Sequence, residues 1–210
     1  MPRSFTVFFW LAAIPVALMS WRFLLAPVAE VMPNMAHYLP DAPLATYAHL
    51  IAGPLALLLA PFQLWRGLRT RFPALHRWMG RTYAVSILIA AAGSLAMLPH
   101  FTGSAFAGAG FAALAVLWVV FTVLGVVRAR AGDIAAHRRW ILRSVALTFA
   151  AVTLRIIMPF LMIAGWSLEE TYLVTAWASW LINLAVLEVW QNRRALGLVR
   201  RRRKRENLGA

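Results

Sequence analysis

The chain has 210 residues, 62% of them hydrophobic, and a mean hydropathy of +0.70; a soluble domain has roughly 45–50% apolar residues. The 21 Lys and Arg outnumber the 7 Asp and Glu to give a net charge of +14, but the arginines stand between long apolar runs, which is the pattern of membrane topology and not of a nucleic-acid surface. With no cysteine, disulfides, thiolate metal sites and thiol catalysis are excluded.

A bilayer core needs roughly 20 mostly apolar residues per helix. Six stretches qualify, near residues 5–24, 46–65, 78–98, 105–127, 140–164 and 171–190. The expected fold is therefore all-α: one transmembrane domain over residues 1–210, built as a six-helix bundle. The first stretch imitates a signal peptide, yet Trp21, Arg22 and Phe23 occupy the place of a small-residue cleavage site, so it reads as a retained helix. Next comes "APVAEVMPNMAHYLPDAP", whose four prolines resist a continuous helix. A short cap over the outer surface is expected there.

The second helix carries His49 just inside its outer end and is interrupted by "AGP". His100 closes the third helix beside Pro99. The fourth contains "FAGAGFAALAV", where small residues permit close helix packing or leave room for a flat ligand. The fifth contains Arg155, 18 residues beyond His137 and so about 27 Å further along an unbroken helix. An arginine at that depth costs several kcal/mol unless it snorkels or finds partners. The sixth holds Asn183 and Glu188, the latter placed to pair with an arginine of the inner loops.

Nineteen of the 21 Lys and Arg fall at Arg3, around the second and fourth loops, or in the basic tail 193–206. Glu30, Asp41, Glu169 and Glu170 occupy the opposite set of loops. The positive-inside rule makes the basic side cytoplasmic and puts both termini there. The location expected is a bacterial inner (cytoplasmic) membrane, crossed several times, with anionic lipids as partners of the basic face and tail.

The second and fourth loops share a recipe: His76–Trp78–Arg81–Thr82 and His137–Trp140–Arg143–Ser144. The spacings differ by one residue, so an internal helical-hairpin repeat is approximate. Repeats often frame a site in membrane proteins, although Trp and Arg at a headgroup level are also ordinary anchors.

Three functions fit these residues. One is a haem- or quinone-linked electron-transfer protein, and if the chain is an enzyme, a membrane oxidoreductase. Imidazole is a standard axial ligand of haem iron. His76 with His137, and His49 with His100, are candidate pairs at the two faces, and Arg155 would meet a propionate or quinone oxygen. On this reading the cofactor-binding set is His49, His76, His100, His137, Arg81, Arg143 and Arg155, with His49, His76 and His137 as ligands of a haem b iron. A second function is transport or binding of a small anion or amphiphile. A third is a subunit or assembly factor without chemistry of its own. A redox partner or homo-oligomer is compatible with the first and third. Hydrolysis is disfavoured, as there is no GxSxG, no HExxH and no carboxylate pair within the spans.

The histidine opening the second helix, "PALHRWMGRTY", the Trp-bearing "LAVLWVVFTVLG" and "GDIAAHRRWILRSVALTFAAVTLR" together resemble the bacterial multi-pass membrane proteins catalogued as domain of unknown function 2306. The resemblance spans about Thr46 to Arg155, with the two His–Arg–Trp segments its most specific part. It implies an inner-membrane protein and leaves activity open. A looser similarity is to b-type dihaem membrane cytochromes of the cytochrome b561 kind, which imply six helices with histidine pairs. Here the fourth and sixth helices carry no histidine, so those ligand pairs do not transfer directly.

Overall fold

The computed structural model describes the backbone of residues 3–206 and the side chains of residues 7–193; the side chains of Arg3 and of the basic tail beyond Arg193 lie outside the described residues. Among the described residues all regular structure is helical. Six segments are long and apolar enough to cross a membrane: Val7–Leu24, Pro43–Leu64, Pro73–His100, Ala105–Arg130, Ile134–Ile163 and Leu168–Arg193. The chain is a multi-pass membrane protein, and large apolar side chains such as Leu11, Ile51, Phe160 and Val189 stand exposed where lipid would cover them.

Helix α1 (Arg3–Ser20) ends in a 3-10 turn at Arg22–Leu24. Two short helices, α2 (Val28–Val31) and α3 (Pro33–Ala36), then form the expected cap. Val28 and Met32 pack on Leu50, and Arg22 Nε donates to Val31 O at 2.6 Å, which fastens the cap to the end of α1. The main bundle follows as α4 (Pro43–Leu64), a short α5 (Arg66–Arg71), α6 (Pro73–Met97), α7 (Ala105–Arg130), the pair α8 (Ile134–Thr148) and α9 (Ala150–Ile163), and α10 (Leu168–Glu206). Successive spans are antiparallel. The arginines of the second and fourth loops gather at one end, called the basic end below, and the cap covers the other.

Local chemistry explains the helix starts. Pro43 and Pro73 open α4 and α6 at the first-turn position, where a missing N–H costs nothing. Asp133 Oδ1 accepts from Ala136 N at 2.9 Å to cap α8. Ser167 and Glu170 form a reciprocal capping box at α10, Ser167 N donating to Glu170 Oε2 (2.7 Å) and Glu170 N to Ser167 Oγ (3.2 Å). The turn from α7 to α8 is short because Gly132 takes φ +77°, a conformation that favours glycine. These caps lengthen two helices beyond expectation. The third starts at Pro73 instead of Trp78, and the fifth at Ile134 instead of Trp140. Both His–Arg–Trp segments are thus first turns of helices, not loop ends.

The fifth span is interrupted, contrary to the unbroken helix expected from its apolar run. A turn at Phe149 separates α8 from α9. Thr148 Oγ1 donates to Ser144 O at 3.0 Å, and such back-bonding to the carbonyl four residues earlier bends helices. Phe149 stacks on Phe9 of α1, ring centroids 4.7 Å apart.

Small residues set the helix approaches. Ala13 and Ala17 of α1 are fully buried with Leu57 of α4 and Val152 of α9. At Gly93 of α6 a Cβ would stand 2.6 Å from Ala45 O and 3.0 Å from His49 N. At Gly110 of α7 it would stand 2.9 Å from Ala176 O. Within the glycine-rich run of the fourth helix, Gly110 therefore serves close packing against α10.

Candidate functional site

The polar groups toward the capped end converge on a cavity. An inner chamber of about 200 Å³ is lined by His49, Gly53, Trp118, Thr148, Arg155 and Ser179 among others. A wider vestibule of about 550 Å³ lies under the cap, against Met35, Tyr38, Phe101 and Tyr172. His49, Ser94, Phe111, Leu154 and Arg155 line both. The histidine and the arginine therefore stand at the neck between chamber and vestibule.

His49 is held there by close approach of two helices. Gly93 lets α4 lie against α6, and His49 Nδ1–H donates to Ala90 O at 3.0 Å. A carbonyl only accepts, so the neutral ring keeps its lone pair on Nε2. Nε2 lies 4.0 Å from where a Cβ on Gly53 would be, on the side of a residue that lines the chamber. Arg155 is within electrostatic reach of this ring. Its Nη1 donates to Ala151 O at 2.9 Å and its Nη2 to Ser20 Oγ at 3.0 Å. Neither partner is charged, and among the described residues Arg155 has no carboxylate partner. Ser179, 1% exposed, also lines the chamber, and its Oγ has no hydrogen-bond partner among the described residues.

The chamber floor is different. Trp118 Nε1 donates to Thr148 Oγ1 at 2.9 Å. The Tyr83 hydroxyl lies 2.8 Å from Thr148 Oγ1 and 2.9 Å from Ser144 Oγ. Thr122 Oγ1 is 2.7 Å from Ser144 Oγ and donates to Trp118 O at 2.7 Å. These groups join α6, α7 and α8 in a buried network in which every side-chain polar atom is partnered. Such satisfied networks rigidify a core.

At the vestibule mouth, Tyr38 is buried beside His37, ring centroids 3.9 Å apart. Burial, with Tyr172 adding to it, pushes the Tyr38 phenol up to about 12, so it remains a neutral hydroxyl. His100 pairs with Asp41 at 3.8 Å on the rim. It does not meet His49, whose ring reaches Ala90, ten residues earlier and about 15 Å lower on a helix. The expected outer histidine pair is not brought together.

The basic end brings the other two histidines near each other. His76 and His137 interact electrostatically, with Arg69 and Arg77 also acting on His76. His137 Nδ1–H donates to Gly125 O at 2.8 Å, and His76 Nδ1 is buried without a partner among the described residues. The two motifs have diverged around them. Arg81 lies 5.2 Å from the Trp78 ring centroid and Arg143 4.9 Å from that of Trp140. Trp78 is 64% exposed, whereas Trp140 packs on Phe121, and Arg143 Nε and Nη2 bind Glu188 at 2.6 and 3.0 Å. The one-residue difference in His–Trp spacing turns the imidazoles about 100° apart on their helices. Arg143 is committed to its ion pair, the pairing expected for Glu188. Among the described residues no group of three His, Cys, Asp or Glu side chains could hold a metal ion.

The six long apolar helices agree with comparison by sequence. A family model described as "Predicted membrane protein (DUF2306)" matches residues 46–191. The chain belongs to this family. The match runs past Arg155 and through the sixth span, and it contains His49, Arg155 and Ser179, while Ser20 and the cap precede it. No curated protein matches the chain. No solved structure matches it either.

Sequence reasoning named His49 and Arg155 but missed Ser20, Ser94, Thr148 and Ser179, which share their cavity. A signal existed for one of them. Thr171, Thr175 and Ser179 recur every four residues and are all buried, a polar stripe in a span that should raise the question of what it faces.

Proposed function

We propose that this protein binds, and on that basis transports or senses, a small amphiphilic anion in the cavity between α4, α6, α7 and α9. One observation carries the reading. Arg155 sits within a span, bonded to two neutral oxygens, and faces a cavity in which the described residues supply no counter-charge. A cation in that setting is costly without a partner, and an entering anion would supply one through charge-assisted hydrogen bonds. The apolar remainder would lie along Leu50, Met97, Phe101 and Met158. With the basic side cytoplasmic, the vestibule opens away from the cytoplasm, as expected for capture on the outer side of a bacterial inner membrane. The test is the thermal stability of wild type and Arg155→Gln in nanodiscs with decanoate or decanol. Decanoate should stabilise the wild type only, and decanol neither. Equal stabilisation of both proteins by decanoate would end this reading.

A second reading, electron transfer through haem b, draws support from His49. A Nδ1–H bound to a backbone carbonyl, with Nε2 open to a cavity, is the usual way a metal-bound histidine is held and oriented. His49 would hold the iron and Arg155 would meet a propionate; a second imidazole has no counterpart at that level. Haem would supply one-electron chemistry. Spectra recorded after haem-supplemented expression, before and after dithionite, decide the matter. A Soret band lost in His49→Ala would support this reading, and a wild type without the band refutes it.

A further inference from the structure

Resting on the anion-binding reading, the neck residues narrow the ligand further. We propose that the ligand is a hydroxylated carboxylate, whose carboxylate pairs with Arg155 and whose nearby hydroxyl donates to His49 Nε2. The argument is a matching of donors and acceptors. Arg155 can only donate, and with Nη1 and Nη2 each spending one N–H on Ala151 O and Ser20 Oγ, it keeps others for an oxyanion. His49 is the reverse. Its Nδ1–H is spent on Ala90 O, so Nε2 requires a donor. A simple carboxylate, an ester or an oxidised quinone offers acceptors only and would leave that lone pair unmet beneath the ligand. The Ser179 hydroxyl, buried and unpartnered among the described residues, both donates and accepts and so fits either ligand group.

Charge and size agree with a single carboxylate. Arg155 is the one charged side chain among those lining the inner chamber; Arg22, which acts electrostatically on Arg155 and is likewise bonded to neutral oxygens, Val31 O and Met19 O, lines only the vestibule. A monoanion neutralises the chamber. The chamber's volume of about 200 Å³ suits a head of a few heavy atoms. The vestibule of about 550 Å³ takes an apolar chain.

The experiment is calorimetric titration of the full chain in nanodiscs, with empty nanodiscs as blank, using β-hydroxydecanoate, decanoate and decanol. Wild type should bind β-hydroxydecanoate about tenfold more tightly than decanoate, the equivalent of one hydrogen bond, and decanol should not bind measurably. In His49→Phe the two acids should bind equally. In Arg155→Gln both should weaken at least tenfold. Equal affinity of wild type for the two acids overturns the hydroxyl requirement and leaves the anion reading standing. Unchanged affinities in Arg155→Gln, or no binding of either acid to wild type, overturn both.

Discussion

Arg143 and Arg155 stand twelve residues apart on the same span and meet opposite surroundings. Arg143 makes a two-pronged ion pair with Glu188 and lies over Trp140. Arg155 has two neutral oxygens and a cavity. The contrast extends to the polar groups around each. Toward the basic end, Tyr83, Thr122, Ser144 and Thr148 satisfy one another. Around Arg155, His49 Nε2 and Ser179 Oγ are left with capacity to spare. Polar groups inside a membrane are expensive; where they are mutually satisfied they hold helices together, and around Arg155, where they also line a cavity, their spare capacity is the basis of the ligand proposed above.

This comparison can be broken by substitution, with unfolding in mixed micelles as the measurement. Tyr83→Ala should destabilise most, by about 3–5 kcal/mol, because it opens a hole at the centre of the hydroxyl network. Tyr83→Phe, which keeps the ring, should cost only about 1–2 kcal/mol; equal losses in the two variants would mean that the hydroxyl alone matters. Gly93→Ala should come next, at about 1–3 kcal/mol, since its Cβ meets the Ala45 carbonyl, which is backbone and cannot swing aside. It should also displace His49 and weaken ligand binding. Glu188→Ala should cost of order 1 kcal/mol, because Arg143 retains Trp140 and can reach headgroups. Arg155→Met should have the smallest effect on the ligand-free protein, near zero or slightly stabilising, as it removes a charge that has no protein counter-charge. A large loss in that variant would place Arg155 with Arg143 among structural residues.

Much of the architecture was legible because it rests on one-dimensional signals. Apolar length marked the six spans, and charge asymmetry grouped the loops. Proline spacing marked the cap, and the position of Glu188 anticipated its ion pair. The helix starts were misjudged because the basic residues around His76 and His137 masked the capping signals of Pro73 and Asp133. The break at Phe149 was illegible, since it depends on a Thr148 hydroxyl recruited by partners on α6 and α7. The site was half legible. His49 and Arg155 stood out as polar residues within apolar runs, but pairing His49 with His100 by depth failed. The ring of His49 turns to Ala90 O, and His100 answers to Asp41 on the rim.

By itself the sequence determined that the chain crosses a membrane several times, which segments cross it, and which residues there are too polar to be ignored. Those properties follow from transfer free energies summed along the chain, and they need no knowledge of neighbours. Only the tertiary structure decided which of those polar residues are spent and which are available. Two nearly identical His–Arg–Trp motifs became an exposed anchor at Trp78 and a locked ion-pair site at Arg143. Arg155, far from either in sequence pattern, became the open cation of a cavity it shares with His49. Hydrogen-bond satisfaction is a property of facing surfaces, and those exist only once the helices have packed.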